Sequence, residues 1–163
     1  MPKKLNLAPF AIVIGIAVVL QLALIGVDLQ ETPAKVAKRF ADAYYAIDGD
    51  MQDYLCSDLA QDGELVGDYL YTKQQEAAMR GMRTSYLRHQ ITTAHLQVVD
   101  KTDDRATIHL TGTTRVCIHP AFMIIGKLFK IGHDYPMDET LELVKDNGQW
   151  RVCGNPFGLS PQG

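Results

Sequence analysis

Three cysteines have the clearest chemical capability in this 163-residue chain: Cys56, Cys117 and Cys153. In an oxidising compartment two of them form a bridge and leave one over. In a reducing compartment all three are small buried hydrophobic side chains. The predicted strands place Cys117 and Cys153 about two inter-strand spacings of ~4.8 Å apart, beyond comfortable disulfide reach. We therefore expect Cys56 to pair with one of the other two.

Other patterns associated with catalysis or cofactors do not occur in the sequence. It has no Cys-x-x-Cys pair, Gly-rich phosphate loop or Gly-x-Ser-x-Gly elbow, so no metal and no cofactor is predicted. His95 and His109 are expected on the outer face of neighbouring strands, but no third ligand follows at a fixed spacing. The formal net charge of −3 argues against a nucleic-acid partner.

A long apolar segment occupies the N-terminal part of the chain. From Leu5 to Val27 there is no charged residue. At ~1.5 Å per residue this length suits a hydrocarbon core of roughly 30 Å. The segment predicts a transmembrane helix over residues 7–27, preceded by a cytoplasmic N-terminus at residues 1–6. The alternative is a cleavable signal peptide, whose apolar run usually covers about 7–15 residues and ends at a small-x-small site.

Charged residues on either side of this segment predict its orientation. Two lysines precede it, whereas Asp28 and Glu31 follow it. The positive-inside rule then predicts a single-pass protein of the inner (cytoplasmic) membrane. Residues 28–157 form a periplasmic or otherwise extracytoplasmic domain, and residues 158–163 form a C-terminal tail. We therefore expect the lipid bilayer to be one partner of the protein, contacted by residues 7–27.

Helices are predicted in the first half of the domain. Thr32 is placed to cap a helix that has Pro33 at its first position. An apolar stripe follows at helical spacing: Val36, Phe40, Tyr44 and Ile47. Asp50 is expected to cap a short second helix. A loop with a short helix is predicted over residues 57–71.

A third helix and a sheet are predicted in the remainder. Thr72, with Gln75 three residues later, resembles a capping box that opens a helix reaching about His89. Alternating patterns then predict strands over residues 94–99, 106–117 and 135–145. An Asn147-Gly148 turn would close the final hairpin and pair two sets of residues: Leu143 with Val152, and Lys145 with Trp150.

Helices followed by an antiparallel meander that ends in Asp-Asn-Gly-Gln-Trp-Arg-Val (residues 146–152) resemble the NTF2-like superfamily, also called SnoaL-like or cystatin-like cone. The resemblance covers roughly residues 32–157. It predicts an α+β fold in which an N-terminal transmembrane helix is followed by a cone of helices packed on a curved antiparallel sheet. An anchor followed by such a domain is similar in plan to secretion-system assembly subunits of the VirB8 type, by architecture alone.

The resemblance implies that side chains facing into the cone distinguish an enzyme from a binding module. Enzymes of the family place acids, tyrosines and histidines there. Glu139 is the only acidic residue predicted on the inner faces of the strands, and Tyr44 and Tyr86 can point inward from helices. A buried carboxylate beside a tyrosine can support proton abstraction. The alternative is that these tyrosines simply pack, and we expect a lined but inert cone with no catalytic residue.

The segment between the second and third predicted strands is more apolar than a hairpin loop requires. A helix that starts at Pro120 would present side chains suited to a partner protein or a membrane surface: Phe122, Ile125, Lys127, Leu128, Phe129 and Lys130. The alternative is a strand or helix that closes the mouth of the cone and contributes only to the core.

Two functions are compatible with these patterns. We expect a membrane-anchored, non-catalytic accessory or assembly subunit that presents its NTF2-like domain to partner proteins of a membrane complex. The alternative is a small-molecule-binding or isomerase/dehydratase-like protein that uses the cone pocket. The second function requires polar groups that converge on one point of an open pocket. The first predicts a filled cone and an apolar outer patch.

Overall fold

The computed structural model of the chain describes residues 13–21, 31–61, 64–116 and 133–158. The chain divides into two compact units, Met1–Glu31 and Thr32–Gly163. In the first unit, residues 13–21 form helix α1.

The structure around helix α1 does not agree with the predicted transmembrane helix. At 1.5 Å per residue, the helix of residues 13–21 is ~13.5 Å long, less than half of a hydrocarbon core of ~30 Å. No helix in the described part of the chain is long and apolar enough to cross a membrane. The prediction of a transmembrane helix over residues 7–27 is therefore wrong, because the described residues contain no helix that meets the length and hydropathy of a membrane span. Residues 7–12 and 22–27 lie outside the described residues.

The second unit is an α+β domain in which helices precede an antiparallel sheet. Its helices are α2 (Pro33–Tyr45), α3 (Ser57–Gln61) and α4 (Glu64–Met79), with short 3-10 helices at Gly49–Tyr54, Thr84–Leu87 and Pro156–Gly158. Its strands are β1 (His89–Lys101), β2 (Arg105–Val116), β3 (Asp134–Asp146) and β4 (Gln149–Cys153). They form one sheet in the order β1-β2-β3-β4.

Helix α2 begins as the sequence predicts. The Oγ1 of Thr32 accepts a hydrogen bond from the backbone N–H of Lys35 at 3.3 Å, and Pro33 opens the helix. The next cap differs from the prediction. Asp48, rather than Asp50, caps the following 3-10 helix, because its side chain accepts a hydrogen bond from the Asp50 N–H at 3.2 Å.

The predicted third helix is wrong in its position. Helix α4 covers Glu64–Met79, so Thr72 and Gln75 lie in its interior rather than at its start. Its buried side chains Leu65 and Val66 lie in the segment that was expected to be mainly loop. The start of α4 is therefore determined by packing against the core and not by the local capping pattern.

The closing hairpin has the predicted register. Leu143 is opposite Val152, and Lys145 is opposite Trp150. Asn147 and the following glycine both have positive φ, as a primed two-residue turn requires. The alternation of the hairpin thus directs Leu143, Trp150 and Val152 into the core.

A β-bulge bends the other side of the sheet. The pairing of β1 with β2 shifts register between Ile91 and Thr93, which leaves Thr92 as the extra residue. At this bend the backbone of Thr93 lies so close to Gly112 that a Cβ atom at position 112 would clash with the Thr93 carbonyl oxygen. Gly112 is thus required for the close approach of two strands.

Residues 53–57 cover the free edge of β4, and we call them the edge segment. Leu55 forms a parallel bridge with Val152, and the N–H of Cys56 donates to the Val152 carbonyl oxygen at 2.9 Å. Cys56 is also joined to Cys153 by a disulfide with a Cα–Cα distance of 5.4 Å. Cys153 is one of the two partners expected for Cys56. The other, Cys117, lies outside the described residues.

Polar contacts complete the attachment of the edge segment. The N–H and Oγ of Ser57 donate to one carboxylate oxygen of Asp146 at 3.0 and 2.7 Å. These hydrogen bonds lower the pKa of Asp146. The guanidinium of Arg151 donates to the backbone carbonyl of Asp53. Backbone, side-chain and covalent links therefore all hold this segment against the sheet.

Candidate functional site

Polar and apolar residues alternate on the inner face of β3 beyond Leu141. Leu143 and Leu141 are fully buried beneath the helices, and Met137 is 4% exposed. Glu139 lies between them on the same face, opposite Leu110 of β2, and is only partly exposed. Tyr135, the next residue on this face, is 46% exposed. The polar end of this face is the candidate site.

Glu139 lies near the C-terminal end of α2. Burial raises the pKa of its carboxyl, and the neighbouring charge of Asp138 raises it further. Burial raises the pKa of Tyr45 to about 12, and repulsion from Glu139 adds to this shift. Within the described residues, no hydrogen bond engages the Glu139 carboxyl or the Tyr45 hydroxyl. We call these two side chains the carboxyl end of the site.

Tyr44, the tyrosine that the sequence nominated, has a structural role. Its ring stacks on Phe157 and Tyr69 with centroid distances of 4.6 and 4.7 Å. Its hydroxyl donates to the Phe157 carbonyl at 3.3 Å, and the Tyr69 hydroxyl donates to the Tyr44 carbonyl at 3.0 Å. Burial raises the pKa of both Tyr44 and Tyr69, so both phenols stay protonated at neutral pH. Because its hydroxyl is already engaged, Tyr44 supports Tyr45 rather than offering a free group.

A second polar group lies at the end of β1. The Nδ1 of His89 is 3.2 Å from the Oγ1 of Thr114, which is almost fully buried. The His89 ring meets the Tyr135 ring edge-on, with centroids 5.1 Å apart. We call His89, Thr114 and Tyr135 the histidine end of the site. Burial lowers the pKa of His89, and the charge of Lys73 lowers it further, so the imidazole is neutral at pH 7.

Lys73 brings positive charge from α4 toward the histidine end. Its Nζ lies 3.0 Å from one oxygen of Glu76 and 6.0 Å from the centre of the Tyr69 ring. The other Glu76 oxygen binds Arg80 at 2.7 Å. These contacts lower the pKa of Glu76. Lys73 and Arg80 thus share the carboxylate of Glu76.

The remaining predicted site residues do not join this site within the described structure. Tyr86 lies in the 3-10 helix Thr84–Leu87 and is 47% exposed. The predicted contact residues lie outside the described residues: Phe122, Ile125, Lys127, Leu128, Phe129 and Lys130.

The two histidines of the outer face do not form a shared site. The Nε2 of His109 is 2.6 Å from a carboxylate oxygen of Asp138 on β3. His95 is exposed and lies opposite Thr111 rather than His109. Among the residues that the structure describes, no group of three His, Cys, Asp or Glu is arranged to hold a metal ion.

Five residues of the site were missed by the sequence reasoning: Tyr45, Lys73, His89, Thr114 and Tyr135. A signal for two of them, Tyr45 and His89, can be identified. Tyr45 follows Ala37 and Ala41 at spacings of four, and both alanines are fully buried, so a second face of α2 also contacts the core. His89 was assigned to the end of a helix, but it lies two residues before Ile91 on the inner face of β1. The bulge after Ile91 shifts the in-and-out alternation of side chains by one residue. A search for strict alternation along β1 therefore does not place His89 and Ile91 on the inner face.

The chain matches no protein-family model and no curated protein sequence. The resemblance to the NTF2-like superfamily and the similarity in plan to VirB8-type subunits stay predictions. The chemistry of the site follows from its residues. A carboxyl whose pKa is raised is a stronger base once ionised, and while protonated it can donate a hydrogen bond. Tyr45 adds a phenol donor beside it.

Proposed function

We propose that the second unit is an NTF2-like binding domain that holds a small organic molecule against the inner face of its sheet. The observation that carries the proposal is that Glu139, opposite Leu110, and Tyr45, packed against the same buried cluster, lie close enough to influence each other electrostatically. Both are partly buried, and within the described residues neither polar group has a hydrogen-bond partner. Neither polar group is closed off from solvent, so each can exchange its water for a ligand. A ligand that displaces this water would form hydrogen bonds with both side chains.

The distribution of polarity supports this reading over a wholly filled cone. The inner face has two buried apolar clusters, one that includes Leu141 and one that includes Leu110 and Met137, and Glu139 lies between Leu141 and Met137. A few polar groups beside an apolar wall are typical of small-molecule sites. The same pair has the chemistry of proton abstraction, with Glu139 as base and Tyr45 as hydrogen-bond donor.

We also propose that the domain resides in an oxidising, extracytoplasmic compartment. The support is the disulfide between Cys56 and Cys153. Disulfides persist in secreted and periplasmic proteins and are rare in the cytosol, where thiols are kept reduced.

A second candidate function, an accessory subunit that binds partner proteins, is favoured by one observation. The edge segment covers β4, whereas no strand in the described part of the chain pairs with the outer edge of β1. Val98 and Val99 on β1 are 47% and 61% exposed. A long exposed edge strand can accept a strand from another protein.

A ligand screen tests the first proposal. Purified protein is tested against a library of small organic molecules by thermal shift, and hits are confirmed by calorimetry. We expect Glu139→Gln and Tyr45→Phe to weaken the binding of a hit about tenfold each, because each loses a hydrogen bond to the ligand. The matched controls are Glu142→Gln on the outer face of β3 and Tyr71→Phe on α4, both exposed. Binding that is unaffected by Glu139→Gln, or a screen without hits, would overturn the proposal.

A further inference from the structure

Strand β1 has a free outer edge in the described part of the chain. It contains 13 residues and pairs with β2 along one side, and no described strand lies along the other. The opposite edge of the sheet, on β4, is covered by the edge segment. Among the described residues, the sheet therefore has a single edge at which another strand can be added.

The sequence of this edge lacks most of the usual barriers to strand addition. Natural sheets protect their edges with charged side chains, proline, short strands or bulges. From His89 to Val99 there is no Asp, Glu, Lys, Arg or Pro. Two bulges, which leave Thr92 and Val99 as extra residues, are the protection that remains. A strand that pairs with this edge must therefore match both bulges.

Charged residues of opposite sign lie at the two ends of the edge. Arg88 directly precedes β1 with an extended backbone, and Asp100 is the first charged residue at the other end. Both are exposed, and Ala94 lies midway, six residues from each. An antiparallel second copy with its Ala94 opposite Ala94 of the first would therefore bring Arg88 of each copy to Asp100 of the other.

The two bulges match each other in this antiparallel arrangement. The extra residue Thr92 brings Ile91 opposite Leu96 of the second copy, and both are partly buried side chains of the same apolar cluster on the inner face. The extra residue Val99 of the second copy then brings Arg88 opposite its Asp100. Inner-face residues thus stay opposite inner-face residues, as a stable register requires. Apolar and oppositely charged pairs directly across two strands stabilise a sheet.

We propose that a second copy of this chain pairs with β1, edge to edge and antiparallel about Ala94, so that the two sheets form one continuous sheet. The partner is the chain itself because one strand supplies both members of each complementary pair. Two-fold interfaces of this self-complementary kind are the commonest in homo-oligomers. The inference identifies the partner that the second candidate function leaves open. It involves neither Glu139 nor Tyr45, so it is independent of the ligand site.

Analytical ultracentrifugation of the full chain over a range of concentrations tests the proposal. We expect the mass to rise with concentration from 18.1 kDa toward twice that value. Arg88→Glu alone and Asp100→Arg alone should each weaken the association about tenfold, because both ends of the dimer then bring like charges together. An equimolar mixture of the two variants should associate as tightly as the parent, since each variant supplies the charge that the other lacks.

Matched controls and a local measurement accompany this test. Arg83→Glu and Asp103→Arg make the same charge changes at exposed positions outside β1 and should leave the association unchanged. Amide hydrogen exchange in β1 should slow as the concentration rises, because backbone groups of its outer edge become paired, whereas exchange in α4 should not change. Thermal unfolding of each variant establishes that it is folded.

Three results would overturn the proposal. The first is a chain that stays monomeric at every concentration. The second is an association that neither single variant weakens, or that leaves exchange in β1 unchanged, because another surface then joins the copies. The third is a mixture of the two variants that associates no more tightly than either alone, which would exclude the register about Ala94. In none of these cases does the result bear on the ligand screen.

Discussion

The Nδ1 of His89 on β1 lies 3.2 Å from the Oγ1 of Thr114 on β2, and Thr114 is only 2% exposed. This contact joins the one histidine of the site to the interior of the sheet. It also determines which ring nitrogen remains available to a ligand. The contact thus gives a local test of how the histidine end is built.

Thr114→Val keeps the shape of the buried side chain and removes its hydroxyl. We expect the free energy of unfolding to fall by about 1 kcal/mol, because the His89 ring loses a hydrogen-bond partner. Urea denaturation at neutral pH measures this change. Thr107→Val on the outer face of β2 is the control, with an expected change below about 0.5 kcal/mol. Equal losses in the two variants would contradict a specific role for Thr114.

The titration of His89 is the second prediction. Burial and Lys73 lower the pKa of its ring below the ordinary value of 6.5. The folded protein therefore binds a proton at His89 less readily than the unfolded chain does. The contribution of His89 to stability is present above about pH 6.5 and is lost as the pH falls through the lowered pKa. NMR titration of the ring protons should show a midpoint below that of the urea-unfolded chain, and a higher midpoint would refute the assignment.

Glu139 should have the opposite effect on stability. Burial raises its pKa above the ordinary value of 4.5. The folded state therefore keeps this proton to higher pH than the unfolded state does, and the contribution to stability is lost as the pH rises through the raised pKa. In the Glu139→Gln variant the side chain at this position cannot ionise. The melting temperature of the variant should therefore exceed that of the parent at about pH 8 and approach it at about pH 4. A pH-independent difference between Glu139→Gln and the parent would count against a partly buried carboxyl.

Gly112→Ala tests the bend in the sheet. The added Cβ would clash with the Thr93 backbone carbonyl, so two strands must move apart. We expect a loss of about 1–3 kcal/mol, as for other overpacked interior positions. Gly67→Ala on α4 is the control of opposite sign: its Cβ meets no atom within 4 Å, and alanine stabilises a helix by about 0.5–1 kcal/mol relative to glycine. Equal effects at both positions would show that the close approach at Gly112 does not exist.

The disulfide provides the fifth prediction. It joins residues 97 positions apart, so Cys153→Ser should lower the free energy of unfolding by about 2–5 kcal/mol. Peptide mapping without reduction should recover Cys56 and Cys153 in one cross-linked fragment. Recovery of Cys117 cross-linked to either of them would contradict the pairing.

Features that depend on a few neighbouring residues were predictable from the sequence. The Thr32 cap and the Asn147-Gly148 turn are determined by short-range backbone geometry, so their positions and the register of the closing hairpin follow from local chemistry. Glu139 was placed on the inner face because alternation in β3 is uninterrupted. Each of these predictions required no knowledge of what packs nearby.

Features that depend on distant packing were not predictable in the same way. Thr72 and Gln75 have the local pattern of a helix start, yet α4 begins eight residues before Thr72, at Glu64, where Leu65 and Val66 enter the core. The apolar run of residues 7–27 predicted a membrane span, whereas no helix among the described residues is long and apolar enough to cross a membrane. For α4, the local pattern indicated a helix but did not fix where it starts.

The covered edge of β4 limits how copies of this sheet can associate. Addition of strands to a sheet continues indefinitely only when both sides are available. Since residues 53–57 occupy one side in the described structure, edge-to-edge contact through β1 ends with a single pair. The disulfide at Cys56 helps to hold the edge segment on β4. Reducing agents would therefore be expected to favour exposure of this strand edge and further strand addition.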